Sequence, residues 1–194
     1  MRIIAGEHRG RRLEAPKGSL TRPTVDRVRE SLMSALASAR GGFDDAVVLD
    51  AFAGSGALGL EALSRGAERA CFCERDSSAA KAVETNIASL GYDRDVARLC
   101  RVDVLKSAPA RMGRPYDLVF LDPPYALDAA DVFALLARLD DASVLAPSAV
   151  ISYEHDAADC DAVDAQIDSS GLRSLSRKKY GGTVIDIMEK PEEE

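Results

Sequence analysis

The chain has 194 residues, 46% of them apolar and 29% charged, a composition that excludes disordered, collagenous and coiled-coil classes and suits one hydrophobic core. A chain of this length buries roughly 70% of its unfolded surface, so it needs no disulfide or metal staple. The net charge of -7 conceals a polarity: residues 1–40 hold nine Arg/Lys against four acids, and the other residues hold 16 against 28. A basic arm on an acidic body suits a protein that grips a polyanion at one end. A merely solubilising N-terminus is the blander account of the same charges.

Residues 2–5 and 10–14 flank a glycine-containing turn and predict a small hairpin. Thr24, after Pro23, is the predicted N-cap of a helix over 25–39, ended by Gly41-Gly42. The pattern then alternates: strand 46–50, helix 57–65, strand 69–74, helix 77–90, strand 96–102, helix 104–111 and strand 116–121. A helix over 128–139, a strand over 144–153 and a helix over 158–168 follow, with closing strands 172–179 and 183–189 turned at Gly181-Gly182. Such alternation predicts an α/β fold, a mainly parallel sheet with helices on both faces, with the last hairpin antiparallel. Ligands are expected outside the carboxyl ends of the strands, where strand order reverses. The expected organisation is a basic extension over 1–40, a catalytic domain over 41–190 and a frayed acidic tail over 191–194. No uncharged apolar run approaches the roughly 18 residues that span a bilayer, and Met1-Arg2-Ile3-Ile4 leads into arginines, so a cytoplasmic chain with no membrane partner is expected.

Cys71, Cys73, Cys100 and Cys160 have neither CxxC nor zinc-ligand spacing, and no metal site is expected. Cys71 and Cys73 share one face of a predicted strand and read as core residues. His8 and His155 stand in polar surroundings and read as solvated side chains.

Asp50 ends the first predicted strand of the alternating region and runs into Ala51-Phe52-Ala53-Gly54-Ser55-Gly56-Ala57-Leu58-Gly59, a G-x-G-x-x-G loop between strand and helix. Glycine there permits positive φ and lets a ligand approach bare backbone. Glu74 ends the next strand, where a carboxylate can accept from both ribose hydroxyls of an adenosine cofactor. NAD and S-adenosylmethionine both present that ribose. Asp50 favours the second, because an acid there opposes a pyrophosphate but pairs with the ammonium of a methionine moiety. Asp103 reads equally as a partner of the adenine amine, beside Val104, or as a helix cap.

The buried run Leu118-Val119-Phe120-Leu121 ends in Asp122-Pro123-Pro124-Tyr125. Two prolines stop the strand and set the direction of the carbonyls around them. An Asp122 carboxylate and a Pro123 carbonyl can accept both N–H bonds of an exocyclic base amine, a poor nucleophile whose lone pair is delocalised. Holding it so orients the lone pair and stabilises the charge that develops on nitrogen. Tyr125 offers a face for base stacking, worth about 1 to 3 kcal/mol.

These motifs, with Arg2-Ile3-Ile4-Ala5-Gly6, Arg9-Gly10-Arg11 and Arg22-Pro23-Thr24-Val25-Asp26-Arg27-Val28-Arg29-Glu30, resemble the RsmD family of bacterial small-subunit rRNA guanine-N2 methyltransferases. The resemblance covers nearly the whole chain. It implies a Rossmann-like, seven-stranded class I methyltransferase fold and S-adenosylmethionine as cofactor. It also implies that residues 22–29 lie beside the methionine end of the cofactor and the RNA, adding Thr24 and Arg27 as cofactor candidates. The implied partner is 16S rRNA or a 30S assembly intermediate, and a monomer suffices. Arg9, Arg11, Arg12, Arg22, Arg29, Lys178 and Lys179 are the candidate RNA contacts, and Arg173 and Arg177 extend the patch if the fold brings them near. Glu7-His8 departs from the more basic or aromatic residues usual in the family. The rival readings are a DNA amino methyltransferase acting on adenine N6 or cytosine N4, an NAD-binding oxidoreductase, and a non-catalytic RNA-binding module.

Overall fold

The computed structural model describes residues 1–16, 23–107, 109 and 111–192. Its helices are α1 (Pro23–Arg40), α2 (Ala57–Ser64), α3 (Ser77–Leu90), α4 (Ala129–Asp141) and α5 (Cys160–Ser170). The strands are β1 (Val47–Asp50), β2 (Arg69–Cys73), β3 (Ala97–Cys100), β4 (Tyr116–Leu121), β5 (Leu145–Asp156), β6 (Arg173–Tyr180) and β7 (Thr183–Glu189). They form one seven-stranded sheet of order β3-β2-β1-β4-β5-β7-β6. All pairs are parallel except β5 with β7 and β7 with β6.

Both faces of the central strands are apolar because both are covered. Val47, Leu49, Val119 and Leu121 face one way, against Val132, Leu135 and Leu136 of α4 and Val163 and Ile167 of α5. Val48, Leu118 and Phe120 face the other way, against Leu32, Met33 and Leu36 of α1, Leu60 and Leu63 of α2, and Val83 and Leu90 of α3. Cys71 and Cys73 are buried together on the first of these faces, and Cys71 Sγ lies 3.5 Å from Cys100 Sγ. The chain leaves β1 for β2 and β3 on one side, then returns to β4 on the other, with Asp50 level with Phe120. This is a topological switch point, and a crevice opens beyond the carboxyl ends of β1 and β4.

The N-terminal arm is clamped to this body by buried polar groups. Glu61 of α2, fully buried, accepts from the backbone N–H of Ile4 at 2.7 Å and of Ala5 at 3.0 Å, and from Arg65 at 2.8 Å. Gly6 has φ +83°, and a Cβ there would lie 1.6 Å from the Ser64 carbonyl oxygen, so only glycine permits this approach. Asn86 of α3 binds both the N–H and the carbonyl of Glu14 and also donates to the Ser55 carbonyl at 2.9 Å. The expected hairpin is present as one bridge, Arg2 to Arg12, with Ile3 N–H donating to the Arg11 carbonyl.

Three sequence expectations need correction. Of the helix expected over 104–111, the described residues 104–107 form a single turn, in which the N–H groups of Lys106 and Ser107 donate to the Asp103 carbonyl. Pro109 follows with no N–H to extend it. Helix α1 starts at Pro23, a residue whose fixed φ suits a first helical position, so Thr24 lies in the first turn and not at the cap. His155 is not solvated. Strand β5 runs on to Asp156, and His155, level with Val184 of β7, is 3% exposed. Its Nε2 lies 2.9 Å from Asp186 Oδ2 and its Nδ1 2.8 Å from the Asp156 carbonyl. Burial lowers its pKa, but these two acceptors outweigh that and raise it. Arg177 completes the group, donating to both Asp186 oxygens and to Asp164. Among the described residues no helix is long and apolar enough to cross a membrane.

Candidate active site

The glycine loop leaves β1 in positive-φ backbone, with Gly54 at +54° and Gly56 at +78° capping α2. A Cβ on Gly54 would meet nothing within 4 Å, so bare backbone faces open space there. Gly59 plays a different part: a Cβ would come within 2.4 Å of the Phe72 ring, so its absence lets α2 settle on β2. Asp50, 1% exposed, accepts from Gly59 N–H at 3.1 Å and so ties the strand end to the helix start. Burial, opposed by that bond and reinforced by the charge of Glu74, pushes the Asp50 pKa up to about 7. Glu74, half-buried, accepts from Gly54 N–H at 2.9 Å and from Asp76 N–H at 2.7 Å. Asp103 accepts from Leu105 N–H at 3.2 Å and pairs with Arg75 at 3.4 Å. Asp103 therefore caps a single turn and not the helix read for it, and it stands on the wall of a cavity.

At the end of β4 the two prolines turn the chain out of the sheet. The Pro124 carbonyl accepts from Leu127 N–H at 2.9 Å, so of the two proline carbonyls it is spent on the turn. Tyr125 is 52% exposed, yet its hydroxyl lies 2.8 Å from Thr183 Oγ1 and 3.2 Å from Glu154 Oε1. Held by its tip, the ring presents a face. Asp122 is exposed to the cleft, and the protein packed about its carboxyl, with the charges of Glu154 and Asp50, raises its pKa; desolvation likewise raises that of Glu154.

Two cavities meet at this corner, of about 630 and 400 Å³, and Phe52, Gly54 and Asp122 line both. The smaller is walled by Glu74, Asp103, Val104, Pro123 and Pro124. The larger is walled by Asp50, Ala53, Ser55 and Tyr125, together with Met1, Arg29, Glu154, Tyr180 and Thr183. The predicted loop, ribose acid and proline corner thus converge on one cleft. A buried acid such as Asp50 is at rest when protonated or against a cation, and open backbone beside a half-buried carboxylate leaves room for a ribose. A cationic adenosyl ligand fits this donor set.

The predicted basic contacts divide. Arg9 and Arg12 are exposed, and Arg11, also exposed, donates to the Ser89 carbonyl at 2.5 Å. Arg29 is not at the surface: it is 4% exposed, bonded to the Arg2 carbonyl and Asp26, and lines the larger cavity. Arg27 is exposed on α1 and lines neither cavity. Arg22 and the Thr24 side chain lie outside the described residues. Lys178 and Tyr180 of β6 reach Ser31 of α1 at 3.4 and 2.5 Å, whereas exposed Lys179, between them on the strand, points from the other face of the sheet. Arg173 and Arg177 do not extend the patch, because each is paired with acids: Glu189 for one, Asp164 and Asp186 for the other. Among the described residues no group of three or more His, Cys, Asp or Glu could hold a metal ion. Sequence reasoning missed Glu154 and the positioning residues Glu61 and Asn86, and it read Arg29 as an RNA contact where the structure has it buried in the cavity wall. A carboxylate near the carboxyl end of a strand beside β4 was the available signal for Glu154.

Known proteins share this arrangement. The family model described as "Conserved hypothetical protein 95" matches residues 1–189. The chain is 41% identical over 154 residues to "Ribosomal RNA small subunit methyltransferase D" of Escherichia coli (strain K12), covering 79% of this chain and 74% of that protein. It is 36% identical over 192 residues to "Putative rRNA methyltransferase YlbH" of Bacillus subtilis (strain 168), covering 98% and 99%. A solved structure described as "Putative methyltransferase yhhF from Escherichia coli" superposes with a TM-score of 0.79 at 33% identity, over 100% of this chain and 99% of that one. With the glycine loop, the acid pair and the Asp-Pro-Pro-Tyr corner converging on one cleft, these matches place the chain in the "Conserved hypothetical protein 95" family, the RsmD family of methyltransferases.

Proposed function

We propose that this chain methylates the exocyclic N2 of a guanine in 16S rRNA, free or within a 30S assembly intermediate, with S-adenosylmethionine as donor. The observation that carries the reading is that Asp122 lines both cavities, one fitted to an adenosyl group and the other open beside a stacking face. The rRNA-methyltransferase names of the full-length relatives support the substrate class. S-adenosylmethionine brings a methyl group on a cationic sulfur. Glu74 and Asp103 hold the adenosine end, and Asp50 holds the ammonium, which restores its charged form. Asp122 and the Pro123 carbonyl accept the two amine N–H bonds and aim the nitrogen lone pair, an orientation effect strengthened in a cleft short of water. Formation of the C–N bond accompanies cleavage of the donor's S–CH3 bond, whose electron pair would stay on sulfur as a neutral thioether, and the proton the nitrogen sheds is taken by Asp122, whose pKa is raised. The Tyr125 face holds the base once it has left its stack, a step that costs a few kcal/mol unless the base sits in an open loop.

The test is transfer of radiolabelled methyl into small-subunit rRNA, small-subunit particles and duplex DNA. Asp122→Ala is expected to lose about 10²- to 10³-fold in turnover while calorimetry shows the cofactor still binding. Unchanged turnover, or preferential labelling of duplex DNA, overturns the proposal.

A further inference from the structure

Holding an exocyclic amine does not choose among bases, because adenine and cytosine carry one too. What differs is the neighbouring ring nitrogen. Guanine N1 carries a hydrogen beside the N2 amine, whereas adenine N1 and cytosine N3 present a lone pair there. A site that faces this position with an acceptor rewards guanine and repels the others.

The fold puts such an acceptor beside Asp122. Strands β4 and β5 are parallel neighbours, and Leu121 is level with Tyr153. Asp122 is the first residue beyond β4 and Glu154 the residue after Tyr153 on β5, so the register brings the two acids side by side at the strand ends, close enough for the charge of Glu154 to act on Asp122. Both line the larger cavity with Tyr125. The Tyr125 hydroxyl occupies one of the roughly four lone-pair positions of the Glu154 carboxylate, and the rest remain for a ligand. Stacking on Tyr125 and holding of the amine by Asp122 account for the other contacts; Glu154 helps hold the Tyr125 hydroxyl, and its remaining acceptor capacity has no part in either step.

We infer that Glu154 accepts the N1–H of the target guanine and is the residue that separates guanine from other amine-bearing bases. This rests on the guanine-N2 reading proposed above.

The experiment uses the full chain and small-subunit particles reconstituted around rRNA that carries, at the mapped methylation position, either guanine or 2-aminopurine. The analogue keeps the N2 amine but presents a lone pair at N1. Wild-type kcat/KM is expected to favour guanine by about 10- to 100-fold, the range for a desolvated acceptor that meets no donor. In Glu154→Gln the side-chain amide can turn its NH2 to that lone pair, and the preference collapses to a few-fold, while Tyr125→Phe retains it. Equal wild-type rates on the two bases overturn the inference without any variant. So does a preference that survives in Glu154→Gln, or one that Tyr125→Phe abolishes equally, since Glu154 would then act only by positioning the ring. Wild-type methyl mapping to an atom other than guanine N2 instead overturns the underlying reading.

Discussion

Asp50 is the side chain with most at stake when the cleft holds no ligand. It is 1% exposed, and its pKa stands near 7 against an ordinary 3.8. A carboxyl whose folded pKa is raised binds more protons in the folded state, so its ionisation destabilises the fold. Stability from this group is therefore greatest at low pH, falls as pH rises from about 4 to about 7, and is level above. His155, Asp122 and Glu154 add losses of the same sign as pH rises through their own raised values, so mutation must separate Asp50 from these. In thermal melts of ligand-free protein from pH 5 to 8, Asp50→Asn should show a shallower fall in Tm than wild type. A parallel fall in both would remove Asp50 as the cause. At this scale the motif residues were legible, because Asp50, Glu74 and Asp122 each end a strand beside a recognisable turn. Glu154 was not, because its contact with Tyr125 joins positions 29 apart that only the pairing of β4 with β5 makes neighbours.

Among the elements, the junction of the N-terminal arm with α2 does most to shape the larger cavity. Glu61 satisfies two backbone donors of the arm and Arg65 at once, and Met1, at the head of that arm, lines the cleft. Glu61→Ala leaves those donors without their buried acceptor and should cost about 3 kcal/mol in urea unfolding. It should also weaken binding of S-adenosylmethionine in calorimetry, because the wall carrying Met1 is released; affinity equal to wild type would show that the arm does not shape the pocket. The alternation of strands and helices was readable from period and turn residues. The exception, 104–111, shows the limit: the residues favour a helix, but one proline deletes the donor that would propagate the turn.

Over the whole molecule, Lys178 of β6 reaches α1, while acids of the body pair with Arg173 and Arg177. On the rRNA reading proposed above, the charge left to face a polyanion is concentrated on few side chains. Removing three exposed ones together, Arg9→Ala, Arg12→Ala and Lys179→Ala, should lower the slope of log affinity for rRNA against log salt by about 2 to 3. Filter binding across a salt series measures it, and an unchanged slope would place the RNA elsewhere.

What the amino-acid order determined by itself was local: the glycine loop, the ribose acid, the proline corner and the βα alternation. Each depends on φ/ψ limits or on a period that a few consecutive residues express. What only the tertiary structure decided was the meeting of distant groups. Examples are Glu61 with Ile4, His155 with Asp186, Arg29 turned inward and Glu154 beside Tyr125 on the cavity wall that Asp122 shares. Such pairs follow from strand order and register, which arise from burying both faces of one sheet and leave no short-range pattern in the chain.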